Sequence, residues 1–248
     1  QRDQGGLMTQ IEDPWKVKLG IVVPSWNTVM EYEFQRLADA SISVHAQRIK
    51  HTDDSEASLN WLSTQAVGAA TLLSHAKVRA ICHGCTASGF LKTPDEDLAL
   101  AAEVEQVTGI PCVTSSASIV KALRALGAKT ISVASPYEAW LNERVAQHLK
   151  QAGFEIAAIS GLGTQSHGSI STQSVLALAR SVVRPDSQAI FISCSNFRTL
   201  EIIEQLEHET GLPVITSNQA AFWGTLRRIG VVDKVPRAGK IFQYSSVD

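Results

Sequence analysis

Two cysteines in polar loop sequence, Cys85 and Cys194, are the residues of this chain best suited to chemistry. Each follows shortly after an apolar run that is typical of a β-strand. A thiol between a strand and a helix lies near free backbone N–H groups, which lower its pKa by stabilising the thiolate. Two such thiols on opposite sides of a ligand could add to it, or deliver and remove protons on opposite faces. We therefore expect both to be catalytic.

The other two cysteines, Cys82 and Cys112, are not expected to be catalytic. Cys112 lies within an apolar strand and is expected to fill the core as a small apolar side chain. Cys82 forms a Cys-x-x-Cys pair with Cys85, which would suit redox chemistry or half of a metal site. A second ligand pair is missing from the sequence and Cys82 falls within a strand, so we expect neither a redox pair nor a metal site here.

Polar residues at other strand ends are candidates to bind the carboxylates of a small substrate. Residues 114–116 and 216–218 end strands and open helices, where N–H and hydroxyl groups can bind anions. The plainer role of at least one residue in each set is helix capping. Arg198 either neutralises a carboxylate or pairs with a surface acid. The candidate substrate-binding residues are Asn27, Thr86, Ser116, Tyr137, His167, Ser195 and Asn218.

Short β-branched runs alternate with stretches of helical period, and this pattern predicts βα units around parallel sheets. The predicted strands are residues 18–23, 42–48, 79–83, 111–114, 130–134, 155–159, 188–193 and 213–216. The predicted helices are residues 28–37, 58–74, 95–108, 116–126, 138–151, 172–181, 199–210 and 218–228. Their number fits either one closed barrel or two smaller sheets.

An internal repeat favours two sheets. The sequence GIPCVTSS at residues 109–116 returns as GLPVITSN at residues 211–218, and Cys85 and Cys194 fall into the same register. Landmarks repeated in one order indicate a duplicated domain. We expect two similar α/β lobes, residues 15–127 and 128–235, with tails at 1–14 and 236–248. The ligand would bind between them, beyond the carboxyl ends of the strands.

Composition limits the partners. Lys and Arg number 22 against 24 Asp and Glu, without a basic block, which argues against a nucleic-acid partner. Neither a membrane-spanning run nor a signal peptide is evident, so we expect a soluble cytoplasmic protein without a membrane partner. Residues 1–7, which precede Met8, read as an expression remnant. The Gly161-Leu-Gly163 segment lacks the third glycine of a nucleotide loop.

Five segments together resemble the maleate cis-trans isomerase family, which belongs with the arylmalonate decarboxylases in the aspartate/glutamate racemase superfamily. They are VPSWNTVME (residues 23–31), GCTAS (84–88), ASPY (134–137), CSNFRT (194–199) and TSNQA (216–220). The resemblance implies two flavodoxin-like lobes related by a pseudo-twofold axis, an interlobe site, no cofactor and a homodimer.

The resemblance also implies roles for single residues. Cys85 would add to the double bond of a cis-enedioate, and Cys194 would protonate the adjacent carbon. Asn27 and Tyr137 would bind the carboxylates, helped by Ser116 or Asn218.

Two positions depart from the family pattern. Trp26 stands where the isomerases carry a second serine, and His167 stands near an asparagine that the family offers to the substrate. Maleate, a related diacid, a monoacid amide and a bulkier compound therefore stay open as substrates. The alternatives to isomerisation are a two-cysteine racemase, a decarboxylase and, in another class, a carboxylate-binding protein. The resemblance implies that decarboxylases keep only the second cysteine, so Cys85 argues against that branch.

Overall fold

Two four-stranded parallel β-sheets organise the protein, as seen in a computed structural model that describes residues 13–245. The expected remnant at residues 1–7 lies outside the described residues. The strands are β1 (Val17–Pro24), β2 (Ile42–Ile49), β3 (Ala80–His83), β4 (Cys112–Thr114), β5 (Thr130–Ser135), β6 (Glu155–Gly161), β7 (Ala189–Ile192) and β8 (Val214–Thr216). Their orders are β2-β1-β3-β4 and β6-β5-β7-β8, so the repeat seen in the sequence extends to the topology. The predicted two-lobe α/β class is confirmed.

Ten α-helices connect these strands within residues 13–245. They are α1 (Met30–Leu37), α2 (Glu56–Thr64), α3 (Ala66–Ser74), α4 (Thr86–Phe90), α5 (Pro94–Thr108), α6 (Ser115–Ala125), α7 (Ala139–Gln151), α8 (Thr172–Ser181), α9 (Ile203–Thr210) and α10 (Ser217–Arg228). The predicted helix at 58–74 is two helices, because the N–H of Gln65 bonds back to the Leu62 and Ser63 carbonyls and ends α2. The five-residue α4 was not predicted, since Thr-Ala-Ser-Gly is not a helical sequence pattern.

The core lies on both faces of each sheet. Strands β3 and β7 are buried throughout, which explains their continuous apolar sequence. Helix α10 crosses to pack on α6 of the first lobe. A Cβ at Gly224 would lie 2.5 Å from Ser118 Oγ, so glycine is what allows this close approach. Within residues 13–245, no helix is both long and apolar enough to cross a bilayer.

The buried carboxylate of Glu33 ties the two lobes together. It lies on α1 and accepts hydrogen bonds from the Thr199 N–H at 2.7 Å and the Leu200 N–H at 2.9 Å. Its other oxygen accepts from Asn218 Nδ2 at 2.7 Å. Burial raises the pKa of Glu33 to about 7, although all three hydrogen bonds favour the carboxylate. One side chain of the first lobe therefore fixes two segments of the second.

Replacing this carboxylate should destabilise the protein. We expect Glu33→Ala to lower the free energy of unfolding by about 3 kcal/mol, because buried donors lose their acceptor. Glu31→Ala is the matched control on the same helix. Glu31 pairs with Arg48 at the surface, so its loss should cost under about 1 kcal/mol. Urea unfolding measures both, and equal effects would show that Glu33 does not join the lobes.

Candidate active site

A small cavity lies where the carboxyl ends of both sheets meet. It leaves about 20 Å³ for the centre of a water-sized sphere, so it holds a single water molecule. A four-carbon acid requires the walls to move apart. The lining residues are Pro24, Trp26, Asn27, His51, Asp54, Cys85, Thr86, Ala87, Tyr137, His167, Cys194, Ser195 and Asn196. Both candidate cysteines thus face one cavity between the lobes.

Cys85 precedes helix α4 and has extended backbone geometry. Its thiol is buried, and burial raises its pKa to about 11. Hydrogen bonds from Ser88 and from the Ala87 N–H act in the opposite direction. The charge of Asp54 raises the pKa further.

Cys194 has a left-handed backbone with φ of 102°, which is strained for a residue with a Cβ. Its N–H donates to Ser217 Oγ at 3.0 Å, which helps to hold this conformation. Strain of this kind is typical of functional sites. Burial raises the pKa of the Cys194 thiol, and the charge of Asp54 adds to the effect.

The expectation that the loop setting lowers both thiol pKa values is therefore wrong. Cys85 is 4% exposed and Cys194 is 6% exposed. Removing a thiolate from water raises its free energy by more than hydrogen bonds from the nearby N–H groups lower it. In the enclosed cavity both are thiols near neutral pH, so reaction needs a group that takes or gives a proton.

Asn27 is fixed so that its amide N–H groups face the cavity. Its Oδ1 accepts from the Val29 and Met30 N–H groups at 3.0 and 2.9 Å. Its Nδ2 donates to Ser195 Oγ at 3.1 Å, which leaves a second N–H for a ligand.

Two further predicted residues present hydroxyl groups. Tyr137 is buried, and burial raises its pKa well above the usual value, so it stays a donor. Thr86 Oγ1 is buried and has no hydrogen-bond partner in the structure. An unpaired buried hydroxyl at a cavity wall is suited to a polar ligand.

A carboxylate lies between two histidines at the opposite wall. Asp54 Oδ1 is 3.2 Å from His51 Nε2, and Asp54 Oδ2 is 3.4 Å from His167 Nε2. His167 Nδ1 is 3.5 Å from Cys194 Sγ. Trp26 packs edge-on against both imidazoles, with centroid distances of 5.1 and 5.7 Å.

His51 and Asp54 were missed by the sequence analysis. They follow β2 in the segment Lys-His-Thr-Asp-Asp, so they lie at the carboxyl end of a strand like the other candidates. That position was a usable signal. His83, in contrast, is buried at the end of β3, and burial lowers its pKa to about 4.

Several candidates lie away from the cavity. Ser116 Oγ donates to buried Asp97 at 2.6 Å, and Asn218 Nδ2 donates to Glu33 and to the Ser195 carbonyl. Neither is among the described residues that line the cavity. Thr114 and Thr216 cap α6 and α10.

The remaining candidates are structural. Arg198 pairs at the surface with Glu201 at 2.9 Å. Cys82 and Cys112 are buried in β3 and β4, and burial raises the pKa of Cys82 to about 12. Among residues 13–245, no cluster of His, Cys, Asp or Glu is arranged to hold a metal ion.

An outer cavity of about 670 Å³ adjoins the inner one. Asp54, Tyr137 and His167 line both, so these side chains separate them. Among the described residues of the outer wall, five are acidic and one, Arg144, is basic. Arg144 pairs with Glu56 at 3.0 Å. The approach to the thiols is therefore negatively charged.

Comparison with known proteins gives consistent matches. The sequence profile of the arylmalonate decarboxylase family matches residues 19–242. An arylmalonate decarboxylase of Bordetella bronchiseptica is 31% identical over 166 residues, 64% of this chain and 69% of that protein. A maleate isomerase of Nocardia farcinica is 28% identical over 242 residues, 92% and 96% of the two chains.

A solved structure of another protein matches nearly the whole chain. The maleate cis-trans isomerase of Nocardia farcinica, in a cysteine-to-serine mutant with a covalently bound succinylcysteine intermediate, superposes with a TM-score of 0.86. It is 26% identical to this chain, and the match covers 91% of this chain and 98% of the other.

Proposed function

The chain belongs to the arylmalonate decarboxylase family, and we propose that it is a cofactor-independent cis–trans isomerase of a small unsaturated dicarboxylate, with maleate as the reference substrate. The observation that carries the proposal is the meeting of Cys85 and Cys194 in one interlobe cavity. The succinylcysteine intermediate of the related isomerase supports a cysteine nucleophile in this fold.

The reaction needs one nucleophile and one acid. The Cys85 thiolate adds to one alkene carbon, and Cys194 protonates the neighbouring carbon. The former double bond is then a single bond and rotates. Cys194 removes a proton from the neighbouring carbon, the carbon–sulfur bond breaks, and Cys85 leaves as a thiolate. Electrons and protons balance without an oxidant or a reductant.

Hydrogen-bond donors in the cavity suit the substrate carboxylates. Asn27, Tyr137 and Thr86 carry a free N–H, a phenol and an unpaired hydroxyl, and all three residues line the cavity with the thiols. Ser195 lies beside Asn27 and completes this wall. Charge-assisted hydrogen bonds of this kind also stabilise the negative charge that develops on a carboxylate during addition.

The alternatives use the same groups differently. A racemase would use the two thiols as opposed bases on one carbon, and a decarboxylase would need only the second thiol to protonate a carbanion. A carboxylate-binding protein would need neither thiol. The strained backbone of Cys194 and the shared cavity favour an enzyme with two working cysteines.

Incubation with maleate in deuterated water tests the proposal. We expect the proton NMR signal of fumarate to appear. Companion samples contain an amino acid, a hydantoin or an arylmalonate. Deuterium at an α-carbon, or release of carbon dioxide, without any fumarate would favour the racemase or the decarboxylase instead.

Two serine variants serve as a matched pair in that assay. Cys85→Ser should reduce turnover by at least about 100-fold, because a hydroxyl is a far weaker nucleophile than a thiolate. Cys112→Ser changes a buried cysteine in β4 outside the cavity and should leave turnover nearly intact. Equal losses would contradict the assignment of the nucleophile.

The acidic outer cavity should slow a dianionic substrate. We expect kcat/KM for maleate to rise a few-fold between about 0.02 and 0.3 M NaCl, since salt screens the repulsion. Glu143→Gln removes one lining charge and should weaken this dependence. The kcat/KM for maleamate, a monoanion, should depend less on salt concentration than the kcat/KM for maleate. A fall in kcat/KM with salt would show that the approach attracts anions.

We also propose that the protein is a cytoplasmic homodimer. Exposed apolar side chains on neighbouring helices support a dimer interface, namely Trp61 on α2, Leu72 on α3 and Leu98 on α5. A molar mass near 54 kDa by light scattering, about twice the 26.8 kDa of one chain, is the expected result. A mass of one chain would rule the dimer out.

A further inference from the structure

Cys194, His167 and Asp54 form a connected series across the inner cavity wall. Cys194 Sγ is 3.5 Å from His167 Nδ1, and His167 Nε2 is 3.4 Å from Asp54 Oδ2. The facing carboxylate favours the tautomer with its proton on Nε2, which leaves Nδ1 free to accept the Cys194 thiol proton.

Two sets of neighbouring contacts surround this series. Asp54 also faces His51 Nε2 at 3.2 Å, and His51 Nδ1 is 3.3 Å from Ser58 Oγ. A Cβ at Gly168 would lie 2.6 Å from Thr28 Oγ1, so the glycine after His167 lets the turn 167–169 pack closely. Close packing of this turn limits the movement of the imidazole, whose Nε2 lies at ion-pair distance from Asp54 without a hydrogen bond.

The titratable groups around His167 come from every element packed against it. They are Asp54 and His51 after β2, Tyr137 after β5, Cys194 after β7, and Cys85 after β3 at the same cavity. Burial lowers the pKa of His167, whereas Asp54 opposes that effect. The resting site thus holds a neutral imidazole beside neutral thiols.

We propose that His167 is a further catalytic residue, which exchanges a proton with Cys194 during both halves of the reaction, and that Asp54 is its positioning residue. The catalytic part of this inference rests on the proposed isomerase function. The proton exchange itself depends only on the three side chains.

The proton transfers balance within the site. In the reactive form, Cys85 is a thiolate, Cys194 a thiol and His167 an imidazolium. Cys194 passes its own proton to His167 Nδ1 and takes up the proton of Cys85, which lines the same cavity, so the number of protons in the site is unchanged. When Cys85 adds, the Cys194 proton passes to the substrate carbon and the Nδ1 proton passes to Cys194 Sγ. Elimination reverses both transfers, and the carbon–sulfur electron pair returns to Cys85.

Proton exchange with His167 avoids the formation of an unfavourable buried thiolate at Cys194. Without a proton donor, Cys194 would remain a buried thiolate near Asp54 between the two proton transfers. Burial and like charge both disfavour this state, although the Asn196 N–H donates to the sulfur at 3.4 Å. Because His167 returns a proton to Cys194 while Cys194 protonates the substrate, Cys194 is not left as a thiolate. Asp54 stabilises the imidazolium and keeps its Nδ1 directed at sulfur.

The pH dependence of turnover tests the role of His167. The reactive form has the same number of protons as the neutral resting form, so wild-type kcat/KM should be flat between about pH 7 and 9. In His167→Asn, the Cys85 thiol must lose its proton to solvent before it can add to the alkene. Activity at pH 7 should then fall at least about 100-fold and rise about tenfold per pH unit. A flat profile in this variant would overturn the proposal.

Two variants separate this role from a structural one. Asp54→Asn keeps the imidazole, so the flat region should remain at reduced height while its acid limb moves to lower pH. His45→Asn makes the same histidine change on β2, outside the cavity-lining residues, and should preserve both rate and profile. An unchanged acid limb in Asp54→Asn would remove Asp54 from the proposal.

A second measurement needs no substrate. Alkylation of Cys194 by iodoacetamide is followed by peptide mass spectrometry in Cys85→Ser protein. Pairing with His167 predicts a rate that is nearly independent of pH between 7 and 9. In the Cys85→Ser/His167→Asn protein, the rate of Cys194 alkylation should rise about tenfold per pH unit. Identical profiles would refute the pairing, whatever the substrate proves to be. A positive result without fumarate formation would retain the pairing and reject the isomerase.

Discussion

The buried carboxylate of Glu33 is the interaction on which the geometry of the site depends. It accepts two backbone N–H groups at Thr199 and Leu200 and the amide of Asn218, all from the second lobe. Asn218 in turn donates to the Ser195 carbonyl, next to Cys194. The position of one thiol is thereby linked to helix α1 of the lobe that carries the other. A reaction that needs both thiols on one ligand requires this link.

Burial then sets the chemistry that the cavity can perform. A water-filled cleft would leave the thiols reactive, but it would also hydrate any charge that forms during the reaction. In the enclosed cavity, the pKa values of Cys85 and Cys194 both rise, so isolated thiolates are unfavourable. Proton transfer to an adjacent imidazole preserves neutrality within the site as a whole. The same exclusion of water would strengthen the hydrogen bonds that we propose between Asn27, Tyr137 and the substrate.

Most of the fold could be predicted from the sequence because local patterns and the internal repeat agree. All eight strands, the two sheets and the cavity shared by Cys85 and Cys194 follow from periodicity and register. The pKa direction of the thiols could not be predicted, since it depends on enclosure by both lobes. Nor could the contacts of Ser116 and Asn218, whose side chains meet the buried acids Asp97 and Glu33 from distant segments. The local sequence indicates that a residue lies in a loop, whereas contacts with distant segments determine the direction of its side chain.

The duplication explains why two matching cysteines need not do the same work. Cys85 precedes a helix in extended geometry, where N–H groups of the following turn face its sulfur. Cys194 has a left-handed backbone, accepts from the Asn196 N–H at 3.4 Å and also lies 3.5 Å from His167 Nδ1. Both environments offer hydrogen bonds to sulfur while burial disfavours the thiolate, and the second adds an imidazole as a partner for proton transfer. Because the surrounding segments differ while the strand ends coincide, a symmetric fold presents two chemically unlike thiols to one ligand. An addition across a double bond needs that asymmetry, since one carbon must receive sulfur and the other a proton.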